Sequence, residues 1–198
     1  QFYLGKIASL DQVVLRGKII LTSDSMITIS SSAKLQDIQV YAPIIKVEDG
    51  FKGSCQLFAR DSLMVGEKVI FDYPSALAVI RVEGGVDQPQ LSLGKASTVA
   101  GLVFSYERER SQMQTMISLG QDVKVKGEVF CTGLLKLEKG VAVDGKVACN
   151  RFIMRTTQTL YENFLIDVSF NCRARSRYYL TSALFGMERK NKVLKWLD

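Results

Sequence analysis

Two stretches that repeat one another decide the fold: Asp122-Val-Lys-Val-Lys-Gly-Glu-Val-Phe-Cys131 and Gly140-Val-Ala-Val-Asp-Gly-Lys-Val-Ala-Cys149. Val123, Val125, Gly127, Val129 and Cys131 recur as Val141, Val143, Gly145, Val147 and Cys149, each 18 residues on. A finer period of six lies inside this repeat. Ile117, Val123, Val129, Leu135, Val141, Val147 and Ile153 are all aliphatic, and two residues after the first six of them stand Leu119, Val125, Cys131, Leu137, Val143 and Cys149. Side chains at i and i+2 of a strand share a face, so each hexad reads as a short strand with two inward positions. The residues between them, Ser118, Lys124, Phe130, Lys136, Ala142 and Ala148, are mostly polar or small. Gly127, Gly133 and Gly145 fall where the chain must turn a corner, and glycine there supplies the positive φ that corners often need. Three hexads make one three-sided turn, and such turns stacked along an axis form a parallel β-helix.

The column extends towards the N-terminus. Ile27/Ile29, Ile45/Val47 and Leu63/Val65 follow at 18-residue steps. Leu91/Leu93 comes 28 residues after Leu63, and the surplus matches a loop at Glu83-Gly-Gly-Val-Asp-Gln-Pro-Gln90. Ile117/Leu119 comes 26 residues later still, and the second surplus is the polar segment around Tyr106-Glu-Arg-Glu-Arg-Ser-Gln112. Across that insertion Val99, Gly101, Val103 and Phe104 align with Val125, Gly127, Val129 and Phe130. About seven rungs therefore stack between residues 27 and 155, enough to bury a continuous core. The early rungs are looser, with Gln39, Gly53 and Ser75 breaking the inward pattern, and residues 13–21 carry a partial hexad. The expected architecture is all-β: a cap and starting rung over 1–26, a single-stranded parallel β-helix over 27–155, and a C-terminal β/α cap or docking segment over 156–198. The coil should be right-handed by the crossover rule.

Composition narrows the chemistry. The 198 residues contain no histidine, which removes His-based triads and the commonest acid–base group. The four cysteines, Cys55, Cys131, Cys149 and Cys172, form no CxxC pair, so neither a zinc site nor any other metal or cofactor is expected. Cys131 and Cys149 occupy the inward column and read as buried free thiols. No run of about 18 apolar residues is present to span a membrane as a helix. The net charge is +6, much of it from Arg173, Arg175, Arg177, Arg189, Lys190, Lys192 and Lys195. A solvated face is the plainest reading of these charges, and no nucleic-acid partner is expected.

Residues 117–155 resemble the bactofilins, polymer-forming bacterial cytoskeletal proteins, through the Val-x-Val-x-Gly-x-Val runs at 123–129 and 141–147. The resemblance implies a right-handed β-helix of 18 residues per turn without enzymatic activity. The chain departs from that pattern in its two loop excursions and its long tail, which would cover one end and leave a monomer or small oligomer.

The expected function is a structural scaffold or a binding protein of the bacterial cell envelope, periplasm or surface, whose partner is a protein or an envelope glycan. The start at Gln1 suggests that an N-terminal segment was removed, with the cytoplasm as the alternative location. The candidate partner-binding residues are Tyr106, Arg108 and Arg110 in the second loop, and Arg173, Arg175, Arg177 and Trp196 in the tail, because loops on a rigid scaffold and Tyr–Arg pairs often carry recognition. The competing reading is a carbohydrate-active enzyme of the polysaccharide lyase or glycosidase type. Its candidate carboxylates are Glu107, Glu109, Asp122, Glu138 and Asp144. Finally, Phe164, Ile166, Val168 and Phe170 are expected to fold against the last rung, since they are too apolar to leave in water.

Overall fold

The computed structural model describes residues 1–83, 85–109, 111–155, 159–176 and 178–179. These residues are all-β, with mostly parallel strand pairing and no helix among them. The strands run in the order β1 (Phe2–Tyr3), β2 (Ile7–Leu10), β3 (Val14–Thr22), β4 (Met26–Ile29), β5 (Lys34–Val47), β6 (Lys52–Val65), β7 (Ile70–Ile80), β8 (Gln90–Leu93), β9 (Thr98–Tyr106), β10 (Met116–Leu119), β11 (Lys124–Leu137), β12 (Ala142–Val143), β13 (Lys146–Arg155), β14 (Leu160–Glu162) and β15 (Ser169–Phe170).

The pairings sort into three parallel ladders. The first joins Gln36 to Ser54, Lys52 to Ile70, Ile70 to Thr98, Thr98 to Lys124 and Lys124 to Ala142. The second joins Val40 to Leu57, then Leu77, Val103, Val129 and Val147. The third joins Ile27 to Ile45, then Leu63, Leu91, Ile117, Leu135 and Phe152. β5, β6 and β11, each 14 residues long, carry the chain round corners from one ladder to the next. The pairings β6–β7–β9–β11–β10–β8–β6 consequently close on themselves.

The 28- and 26-residue steps read from sequence are both present, as Leu63 to Leu91 and Leu91 to Ile117. The ladders also begin earlier than the partial hexad at 13–21, since Phe2 pairs with Leu21 and Ile7 with Met26.

Inward residues from all three ladders form one core. Ile27, Ile45, Leu63, Leu91, Ile117 and Leu135 are fully buried, as are Leu57, Leu77, Val103 and Val129. Each such side chain contributes about 1.5–3 kcal/mol by leaving water. Val147 is half-buried and packs against this core, as expected of the last rung.

The early irregularities have physical explanations. Gln39 is not inward: a one-residue register shift places Ile38 and Val40 in the core and turns Gln39 outward. At Gly53 a Cβ would lie 2.8 Å from Cζ of Phe51, whose buried ring fills the space. Ser75 Oγ is buried, accepts from the Cys55 amide and donates to the Asp72 carbonyl.

Two expectations need correction. Ile153 does not continue the inward column. The register slips between Cys131 and Leu134, so Phe152 pairs with Leu135 and Ile153 with the outward Lys136. The corner glycines also act less through φ than through close approach. Gly127 does have φ +153, but the decisive fact is that a Cβ there would lie 1.8 Å from the Gly101 carbonyl oxygen. A Cβ at Gly145 would lie 1.5 Å from the Gly127 oxygen, and there no positive φ is involved.

The tail partly follows expectation. β14 runs antiparallel to the end of β13, and β15 adds in parallel to β12. Val168 packs on the core and the Phe170 ring stacks on Phe152 at 6.0 Å. Phe164 and Ile166, however, remain 49% and 44% exposed, because the chain between β14 and β15 bends outward instead of lying along the last rung. The α part of the expected C-terminal cap has no counterpart among the described residues.

Candidate functional site

Both insertions open at the same corner, between the second and third ladders, on consecutive rungs. β7 ends at Ile80 and the chain returns at Gln90; β9 ends at Tyr106 and returns at Met116. Tyr106 pairs with Ile80, and Met116 with Gln90, so one loop lies directly on the other.

Arg81 holds them together. Its amide donates to the Tyr106 carbonyl at 2.8 Å. Its Nη1 donates to the Asp87 carbonyl at 2.7 Å within its own loop, and to Ser111 Oγ at 2.9 Å and the Met113 carbonyl at 2.8 Å in the other. Glu107 lies behind this group with its side chain 2% exposed, 3.7 Å from Arg81 Nη1. Its Oε2 accepts from Ser111 Oγ at 2.9 Å, while its Oε1 is buried without a hydrogen-bond partner. A buried carboxylate is tolerated only beside such donors and a cation.

The rungs on either side brace the loops. Below, Asp61 forms a two-pronged pair with Arg60 at 2.9 and 2.7 Å and accepts from the Val86 amide at 3.3 Å. The Arg60 hydrogen bonds hold the Asp61 carboxyl below the usual carboxylate range, against the opposing effect of burial. Above, Thr132 Oγ1 accepts from the Glu107 amide, and Asn150 Nδ2 donates to Gln114 Oε1 at 2.9 Å.

Between the loops lies an open cleft of about 760 Å³ lined by Arg81, Val82, Glu83, Arg108, Glu109 and Ser111. Of the sequence candidates, Arg108 and Glu109 line this cleft and Tyr106 stands at its root, 38% exposed. Arg110 lies outside the described residues, as do Arg177 and Trp196. Arg173 is exposed on the tail, away from the loops, and Arg175 forms an ion pair with the buried Glu128 of the second ladder. The structure therefore separates the seven candidates into a loop group and a tail group. Arg81 and Asp61 were not singled out in the sequence, and only their place beside the insertions could have drawn attention to them.

The other proposed carboxylates do not converge on the cleft. Glu138 pairs with Lys136 on the third ladder at 3.3 Å, and Asp122 takes a corner with φ +58. The Asp144 carbonyl accepts from the Gly127 amide at a different corner. Among the described residues, no three Cys, Asp or Glu side chains gather as a metal site, and no helix is long and apolar enough to cross a membrane.

The cysteines are free thiols. Cys131 and Cys149 are paired neighbours in the second ladder. Desolvation raises the thiols of Cys55 and Cys131, and pushes Cys149 up to about 12, with the neighbouring Cys131 adding to the effect. Comparison of the chain with family models, curated proteins and solved structures gave no match.

Proposed function

We propose that the three ladders are the sides of one single-stranded, right-handed parallel β-helix, and that it serves as a non-enzymatic scaffold of the bacterial cell envelope that presents its paired loops to a partner. The observation that carries this reading is the locking of two separate insertions at one corner by Arg81. A loop that merely interrupted the coil would need no cross-brace, whereas a recognition surface gains from being held rigid before the partner arrives. The cleft offers both charge signs, a hydroxyl and Tyr106, which suits a polar surface on a protein or on an envelope glycan.

The bactofilin-like reading extends to the coil but not to its assembly. β14 lies antiparallel on β13, so the parallel series does not continue cleanly at that edge. The chain is then a monomer or a small oligomer, not a filament. The decisive experiment is a glycan-array and depolymerisation screen of the full chain beside a variant in which 81–89 and 107–115 are both shortened to tight turns. The proposal expects binding without turnover, lost in the shortened variant. Depolymerisation of an anionic glycan, abolished by Glu107→Gln or Asp144→Asn, would replace the scaffold reading with the enzyme reading.

A further inference from the structure

The three ladders present different outer surfaces. The first shows Lys34, Gln36, Lys52, Lys124 and Lys126, and the third alternates polar with apolar residues, as in Thr28, Lys46, Ser92, Ser118 and Lys136. The second differs. On two consecutive rungs all three of its outward positions are apolar or aromatic: Ala76, Ala78 and Ile80, then Leu102, Phe104 and Tyr106. Phe58 continues the middle column below and Phe130 above, and Tyr41 stacks on Phe58 at 4.8 Å with the rings 9° from parallel. Glutamines 39 and 56 bound this patch below, and Lys146 and Asn150 above. An apolar patch of this extent with a polar border marks a surface that another segment covers.

The path of the tail says which segment. After β15 the chain leaves the end of the coil and returns along its side. Arg175 pairs with Glu128, whose strand neighbour is Leu102. The Tyr179 ring then stacks on Tyr73 at 4.3 Å, 5° from parallel, and lines a small hollow with Ala76, Gly101, Leu102 and Gly127. The described chain thus stops at the border of the patch, with residues 180–198 still to follow. Those 19 residues include Leu180, Leu184, Phe185 and Trp196. Even at the helical rise they reach about 28 Å. The patch from Tyr41 to Phe130 is four strand steps, roughly 19 Å.

We infer that residues 180–198 of the same chain cover the aromatic face of the second ladder, held at its border by Arg175–Glu128 and Tyr179–Tyr73. The test is amide hydrogen exchange of the full chain, read by mass spectrometry on peptides from 180–198. Exchange there should be slowed roughly tenfold or more, as for a docked segment, and the protection should be lost in Leu102→Gln/Phe104→Gln but kept in Ser118→Gln on the third ladder. Quenching of Trp196, the sole tryptophan, should rise in the same variant. Because all three substitutions lie at outward positions, protection of the core peptides at 57, 77 and 103 checks that the coil is intact. Exchange of 180–198 at the unprotected rate in the wild-type chain would overturn the inference. So would protection indifferent to the face substitutions, or protection that fades on dilution, which would make the occupant a second copy.

Discussion

Two corners of this molecule face opposite demands. Between the first and second ladders, Gly101, Gly127 and Gly145 stack so closely that a single added Cβ would collide with a backbone oxygen of the rung beneath. Between the second and third, the same rungs release nine residues at 81–89 and nine at 107–115 without disturbing the strands on either side. The inward pairs, and not the corners, therefore set the coil. A corner can be compressed to bare backbone or opened into a loop as long as Leu77, Val103 and Val129 still meet on the inside.

The most severe way to break that contrast is to add volume at the closed corner. Gly127→Val should destabilise the protein by about 4 kcal/mol or prevent folding, because the obstacle is backbone and cannot swing aside; urea unfolding measures it. Next is the core beside the open corner. Leu77→Ala removes a fully buried side chain and should cost about 2–5 kcal/mol by the same assay. Arg81→Ala should be milder globally, about 1–3 kcal/mol from its lost charged hydrogen bonds. Its larger effect should be local, with faster amide exchange and proteolysis confined to 81–89 and 107–115.

Asp61 sharpens the comparison through pH. Its carboxyl is lowered in the folded state, chiefly by Arg60. The stability this confers is therefore complete above the unfolded carboxylate pKa and is lost as pH falls through the lower folded value. Asp61→Asn should flatten the acid limb of the unfolding curve and loosen the first loop, whose Val86 amide it accepts.

The smallest effect is chemical. Exposed Cys172 should alkylate first near neutral pH, half-buried Cys149 much later, and Cys55 and Cys131 only on unfolding.

Much of the coil was legible because its inner pairs are spaced by strand geometry. Leu63, Leu91 and Ile117 could be aligned across two insertions since each is followed two residues later by another aliphatic residue and flanked by matching neighbours. Single-residue slips were not legible. Ile38 pairs with Cys55 instead of Gln56, and Phe152 displaces Ile153, because a corner can lose a residue without leaving a mark in the hydrophobic pattern. The loop site was half legible. Polar composition located the insertions, but Arg81 acquires its role from the Asp87 and Met113 carbonyls, and backbone acceptors have no signature in sequence. The aromatic face was missed for another reason. Phe58, Phe104 and Phe130 lie 20 or more residues apart and meet only through the register.

The stacking itself is tested most directly by one distance. Lys46 and Lys136 are 90 residues apart in sequence but stand in one outward column of the third ladder, linked through Met64, Ser92 and Ser118. Spin labels on Lys46→Cys/Lys136→Cys, with Cys149 and Cys172 replaced by serine, should give a narrow distribution corresponding to about 19 Å between backbones, four strand steps along one axis. A broad distribution, or a backbone separation well beyond about 30 Å, would contradict a single stacked coil.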